Sequence, residues 1–166
     1  MFQSWLEKHG GLVLRVARSY GATEEDREDL SQEILLQLWR SLPRFEGRAA
    51  ESTWIYRVAL NTALAWRRSE ARRNLRHTPL SEPDRMVADE RELAEGLDKD
   101  EDLARLYAAI QQLPKVDAAL VLLYLDGQNY RQMSEVLGLS ESNVGVKLTR
   151  ARKALADLMK EVAHES

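Results

Sequence analysis

The chain has 166 residues, 44% hydrophobic and 31% charged, with a formal net charge of −3, which suits one ordinary domain or two small ones. Cysteine is absent, which excludes a disulfide framework and a thiolate zinc site and fits a reducing compartment. Met1-Phe2-Gln3-Ser4-Trp5 lacks the features of a signal peptide, and the longest apolar stretch, Ala118 to Leu125, is too short to span a bilayer, so a cytoplasmic chain without membrane insertion is expected.

The periodicity is helical almost throughout. Leu12, Val13, Val16 and Ala17 mark a first amphipathic segment. Thr23 before Glu24, Glu25 and Asp26 reads as an N-cap followed by first-turn acids. The helix it starts carries Leu30, Ile34, Leu35, Leu38 and Trp39 at spacings of three and four, and Pro43 ends it. Phe45 to Ser52 reads as a loop, after which Ser52 or Thr53 caps a helix bearing Trp54, Ile55, Val58, Ala59, Thr62 and Ala63. Regularity fades after Arg73. Helical pattern resumes at Leu103, Leu106, Tyr107 and Ile110, breaks at Leu113-Pro114, and returns from Val116 to Leu125. Asp126-Gly127 ends that helix, and two short helices and a long one are expected to complete the chain. The predicted fold is all-α: two small helical domains, 1–74 and 103–166, joined by an acidic linker over 75–102.

Charge is unevenly distributed. Six arginines and one glutamate lie from Arg57 to Arg76, ten carboxylates and three basic residues from Glu82 to Asp102, and four basic residues without an acid from Lys147 to Lys153. Two basic blocks therefore flank an acidic one, so a negative total is compatible with nucleic-acid binding.

Asn129 to Val144 has the pattern of a helix-turn-helix. Tyr130, Met133 and Leu137 turn one face of a short helix inward. Gly138 permits a left-handed turn. Leu139 plugs the space between the helices, Ser140 caps the second one, and Ser134 is small where the helices cross. Val144, Leu148, Ala151, Leu155 and Leu158 then form a buried stripe. Ser142, Asn143, Lys147, Arg150, Arg152 and Lys153 are left outward or sideways, where Asn and Arg can read base edges and Lys and Arg can neutralise phosphates. Gly145, one turn into this helix, should cost about 1 kcal/mol against Ala. It either permits close backbone approach to DNA or is merely tolerated.

With Leu113-Pro114, Asp126-Gly127, Gly138-Leu139-Ser140 and Arg150 to Leu155, this half resembles region 4 of bacterial sigma factors. The resemblance implies recognition of the −35 promoter element by Arg131, Ser140, Ser142, Asn143, Lys147, Arg150, Arg152 and Lys153. Many members carry a Gly-Thr pair and a basic residue where this chain has Ser142-Asn143 and Gly145. Asp29 to Trp39 resembles the segment that docks on polymerase, implying core contacts through Asp29, Gln32, Glu33, Leu36, Gln37, Trp39 and Arg40. Thr53 to Ala63 resembles the segment that melts and reads the −10 element, and the loop before it resembles one that captures a flipped base. Phe45, Arg48, Ser52, Tyr56, Arg57, Asn61, Trp66, Arg67 and Arg68 are its expected DNA contacts. Opening DNA needs aromatic surfaces for unstacked bases and cations for the exposed strand, and this stretch supplies both. Trp54 is expected to be a core residue.

Two domains in this order, without the intervening domain of larger members, resemble the extracytoplasmic-function (ECF) class. That implies a factor that directs promoter-specific initiation, with RNA polymerase core (its beta and beta-prime subunits), promoter DNA and an anti-sigma factor as partners. No catalytic residue, metal, cofactor or small-molecule substrate is expected. His9, His77 and His164 have no metal-pair spacing, and Glu161 with His164 is a single Glu-x-x-His. There is no phosphate-binding glycine loop and no nucleophile elbow. A helix-turn-helix regulator acting without polymerase fits the C-terminal motif alone, as does a purely protein-binding helical adaptor; the N-terminal melting-type segment argues against the regulator.

Overall fold

The structure, a computed structural model, describes residues 1–76 and 98–165. Most of the predicted linker, and the side chain of His164, lie outside the described residues. Seven α-helices and one 3-10 turn make up the described chain, with no strand among them.

The N-terminal half is a three-helix bundle. α1 (Phe2–Tyr20) starts well before the predicted amphipathic segment and buries Trp5 together with Leu12, Val13, Val16 and Ala17. α2 (Glu24–Ser41) begins where predicted: the Thr23 hydroxyl accepts from the Asp26 amide at 3.0 Å, and three acids occupy the positive end of the helix dipole. Leu30, Ile34 and Leu38 face inward, burial worth roughly 1.5–3 kcal/mol for each such side chain. Trp39, grouped with them by spacing, is instead 61% exposed. It lies one residue past Leu38, about 100° around the helix and off the buried stripe.

A 3-10 turn (Leu42–Arg44) holds Pro43 and leads into the loop. α3 (Glu51–Arg76) starts earlier than predicted. The Trp54 amide donates to the Ala50 carbonyl at 3.1 Å, so Ser52 and Thr53 lie in the first turn rather than capping it. Thr53 is buried.

The C-terminal half has α4 (Asp98–Gln112), α5 (Lys115–Leu125), α6 (Tyr130–Leu137) and α7 (Glu141–Glu165). Residues 118–123 of α5 are all buried, which makes it the central helix. Gly127, with φ 79°, turns the chain out of it. α6 carries a reciprocal capping box: Asn129 Oδ1 accepts from the Gln132 amide, and Gln132 Oε1 from the Asn129 amide, both at 2.8 Å. Gly138 has φ 71° and closes α6 in the left-handed conformation that disfavours other residues. Instead of two short helices and a long one, one short helix precedes one long one. The predicted recognition helix and the Val144-to-Leu158 stripe belong to a single uninterrupted α7.

The two halves touch. α1 packs on α4 and α5, and α3 packs on α6. The Tyr20 hydroxyl donates to the Lys115 carbonyl at 2.8 Å. Gln111 Nε2 donates to the carbonyls of Arg18 (2.8 Å) and Gly21 (3.1 Å). The Arg18 guanidinium sits 4.5 Å from the centroid of the Tyr107 ring.

Candidate nucleic-acid interface

The helix-turn-helix is built as its local sequence dictates. Met133 and Val136 bury the inner face of α6, and Val144, Leu148 and Ala151 that of α7. Leu139, Leu155 and Leu158 pack partly buried against the same core. The Ser134 hydroxyl donates to the Leu139 carbonyl, fixing the turn across the helix crossing. Ser140 Oγ accepts from the Asn143 amide at 3.2 Å, the expected cap of α7. Tyr130 departs from the pattern. It is 47% exposed and lies over Gly145 rather than in the core.

Ser142, Asn143, Arg150 and Lys153 are exposed on α7, with Lys147 half-buried beside them. No ion pair engages Lys147 or Arg150 among the described residues. Two other predicted contacts are engaged within the protein. Arg152 stacks on Tyr124, 4.4 Å from the ring centroid, and Arg131 pairs with Glu135 at 3.4 Å. Ser140 is exposed and serves as the cap.

On α2, Asp29, Gln32, Leu36, Trp39 and Arg40 are exposed, Leu36 by 40%. Glu33 and Gln37 are half-buried, and Gln37 Nε2 donates to Glu33 Oε1 at 3.0 Å. These two line a groove of about 450 Å³ whose other wall is Asn61, Thr62, Ala65, Trp66 and Ser69 of α3. Trp66, one of the expected DNA contacts, is therefore a groove wall.

The loop before α3 is anchored by aromatic packing. Phe45 meets Trp5 edge-on at 5.1 Å between centroids and Trp54 at 5.7 Å. Phe45 is thus a packing residue in this arrangement, and Trp54 is half-buried beside it. Arg48 is exposed and pairs with Glu46 at 3.1 Å. Along α3, Asn61 and Arg68 are exposed, while Ser52 and Arg67 are half-buried.

Tyr56 differs from the expectation most. Its ring is 1% exposed, and its hydroxyl donates to Asp126 Oδ2 at 2.6 Å. The other carboxylate oxygen of Asp126 accepts from Arg15 Nη2 at 3.1 Å. Burial pushes the Tyr56 phenol well above its ordinary range, and the Asp126 bond and charge push the same way. Burial alone would weaken the charge on Arg15, but the Asp126 carboxylate together with Tyr56 and Tyr107 more than offsets it. Arg57 Nη2 donates to the Glu135 carbonyl in the last turn of α6, where a cation suits the negative end of the helix. Arg67 lines a cavity of about 300 Å³ between the halves, together with Tyr20, Arg27, Tyr107, Gln111 and Lys115. Sequence reasoning missed Arg15, Gln111 and Glu135 as contact residues. They are single polar positions on amphipathic helices and carry no local signal.

Among the described residues, no cluster of His, Asp and Glu is arranged to hold a metal, and no helix is long and apolar enough to cross a membrane.

The chain matches two family models, Sigma-70 region 2 over residues 5–73 and Sigma-70 region 4 over residues 103–155. It is 27% identical over 163 residues to the RNA polymerase sigma-H factor of Pseudomonas aeruginosa, covering 94% of this chain and 82% of that protein. It is 30% identical over 141 residues to the ECF RNA polymerase sigma-E factor of Escherichia coli, covering 78% and 72%. A solved structure, the sigma factor RpoE of Bartonella quintana in complex with the anti-sigma factor NepR, has the same fold, with a TM-score of 0.73, 19% identity and 96% of each chain covered. From these matches, and from the two helical units in their order, the chain belongs to the ECF sigma factors, which direct promoter-specific initiation by RNA polymerase.

Proposed function

We propose that α2 docks this chain on the polymerase core, that α7 reads duplex DNA at the −35 element, and that the loop at 45–50 and α3 open the −10 element and hold the displaced strand. The observation that carries this reading is Trp39. A large aromatic side chain, 61% exposed beside Leu36 on a face otherwise made of acids, amides and one arginine, has no packing role in the bundle. Such a face suits a basic helical partner with an apolar seam, and an aromatic anchor is the usual energetic centre of an interface. The groove walled by Asn61 and Trp66 supports the α3 assignment, because it offers amides for a base edge and a ring for stacking. Ser142, Asn143, Lys147 and Arg150 support the α7 assignment. Polymerase makes the bonds, so no covalent chemistry falls to this chain, and its place of action is the cytoplasm, where promoters and polymerase are. An anti-sigma factor is a proposed partner, as for the Bartonella protein. The test is reconstitution with bacterial core polymerase and sequencing of the transcript starts. A set of starts sharing two spaced elements is expected. No promoter-selective initiation, where a control sigma factor works, refutes the reading.

A further inference from the structure

Among the described residues of α7, Val146 is the only large apolar side chain left exposed, by 53%. It stands two residues past Val144, which is fully buried, so helical pitch turns it about 200° away from the core, to the middle of the outer face. Ser142 and Arg150 lie four residues to either side of it, and Asn143 and Thr149 three, which makes them its neighbours on the helix surface. All four are exposed. Thr149 donates its hydroxyl to the Gly145 carbonyl at 2.9 Å, which takes that proton away from the surface. No carboxylate occurs from Ser142 to Lys153. Two methyl groups thus sit at the centre of a face whose rim carries an amide, a guanidinium and the ammonium groups of Lys147 and Lys153.

A lone exposed valine on an ordinary surface needs no explanation. Here its position calls for one. Helix propensity does not select it, because a β-branched residue is worse than Ala at an exposed helical site. Packing does not select it either, since Val146 takes no part in the core or its partly buried fringe. An apolar anchor for a protein partner is expected to have further apolar neighbours, whereas the neighbours of Val146 are polar or cationic on every side. Duplex DNA matches such a face. In the major groove the apolar group on offer is the C5-methyl of thymine. Branching also holds the valine side chain in one rotamer, so contact costs it little freedom. We propose that Val146 is a specificity-determining residue, its methyl groups meeting the C5-methyl of a thymine in the −35 element while Asn143 and Arg150 take the polar edges of adjoining bases. The proposal rests on the reading of α7 as the helix that enters duplex DNA.

The test uses the full-length chain assembled with core polymerase, on a promoter taken from its own transcript starts. Each thymine of the −35 element, on both strands, is replaced in turn by uracil, which lacks only the C5-methyl group, and affinity is measured by competition. At one position uracil should weaken the wild-type complex about fourfold, the effect of one buried methyl group. Val146→Ala should bind the thymine promoter more weakly by a similar factor and, at that position, treat uracil and thymine alike to within about 1.5-fold. Val146→Ile keeps the branched side chain and should retain the discrimination. Equal uracil sensitivity in wild type and Val146→Ala overturns the proposal, as does a scan with no sensitive thymine. Loss of core polymerase affinity in Val146→Ala, with an unchanged uracil scan, assigns the valine to a protein contact and overturns it too. Failure of the α7 reading shows differently. Arg150→Ala would then leave the preference for the −35 element intact, whereas with α7 reading DNA and Val146 idle it alters that preference while the uracil scan stays flat. Absence of any selective start refutes the reading and the proposal together.

Discussion

Gly145 lies inside α7, where Gly costs about 0.8–1 kcal/mol against Ala. A Cβ built there would stand 3.3 Å from Tyr130 Cε2, 3.9 Å from Cδ2 and 4.0 Å from Cζ. The Cβ direction thus points at α6 and the Tyr130 ring. Glycine leaves room for that ring against α7. Tyr130 is half exposed and opens the first turn of α6, so its ring can yield by a few tenths of an ångström. Gly145→Ala should therefore recover helix propensity less a small packing cost, a net gain of roughly 0.5 kcal/mol. For a chain of this size that is a rise in Tm of about 1–2 °C. In a Tyr130→Ala background nothing opposes the methyl group, and the gain should reach about 1 kcal/mol. Urea unfolding followed by far-UV circular dichroism measures both differences. A loss of more than about 1 kcal/mol in the single variant would mean a fixed ring, and equal changes in both backgrounds would mean no coupling. Duplex affinity should stay unchanged. A tenfold loss of duplex binding at unaltered stability would refute the packing account and assign Gly145 to close approach of DNA.

Lys147→Ala and Arg150→Ala should each weaken duplex binding across sequences and lower the slope of log affinity against log salt by about 1 for every phosphate contact removed. An unchanged slope would remove these residues from the interface. Trp39→Ala should alter stability by less than about 0.5 kcal/mol, because the ring is largely in water. It should nonetheless weaken core polymerase binding at least about tenfold in a titration, and equal binding would remove Trp39 as the anchor. Tyr20 and Tyr56 carry phenols raised by burial above the unfolded value of about 10. The folded chain thus holds these protons where the unfolded chain releases them. The stability they contribute is full below about pH 10 and is lost as pH rises beyond it. Phenolate absorbance should show these two titrating only with unfolding, and Tyr20→Phe should remove part of the alkaline sensitivity. Titration of both near pH 10 in a still-folded chain would contradict it.

Much of the fold was legible from local signals. Thr23, Gly138 and Ser140 act on atoms within a few residues of themselves, so their sequence patterns and observed geometry coincide. The stripe Val144, Leu148 and Ala151 was readable because helical period ties spacing to face. Spacing was less reliable at stripe edges: Trp39 and Tyr130 fit the period, yet one lies in solvent and the other against a glycine. Boundaries also shifted where the residue before a helix has no capping side chain, as at Ala50, whose carbonyl accepts the first backbone bond of α3.

The helical elements and the order of the two units were thus legible in sequence alone, because helix periodicity and capping are short-range. Only the tertiary structure decided that Tyr56 is covered, that Arg57 is engaged, and that Arg152 rests on Tyr124. Tyr56 with Asp126, Arg57 with Glu135 and Arg15 with Asp126 lie 70, 78 and 111 residues apart. Asp126 is a carboxylate in the turn after α5, the Glu135 carbonyl lies in the last turn of α6 and Arg15 is a single cation on α1, and each reads as solvated until a second surface is laid against it.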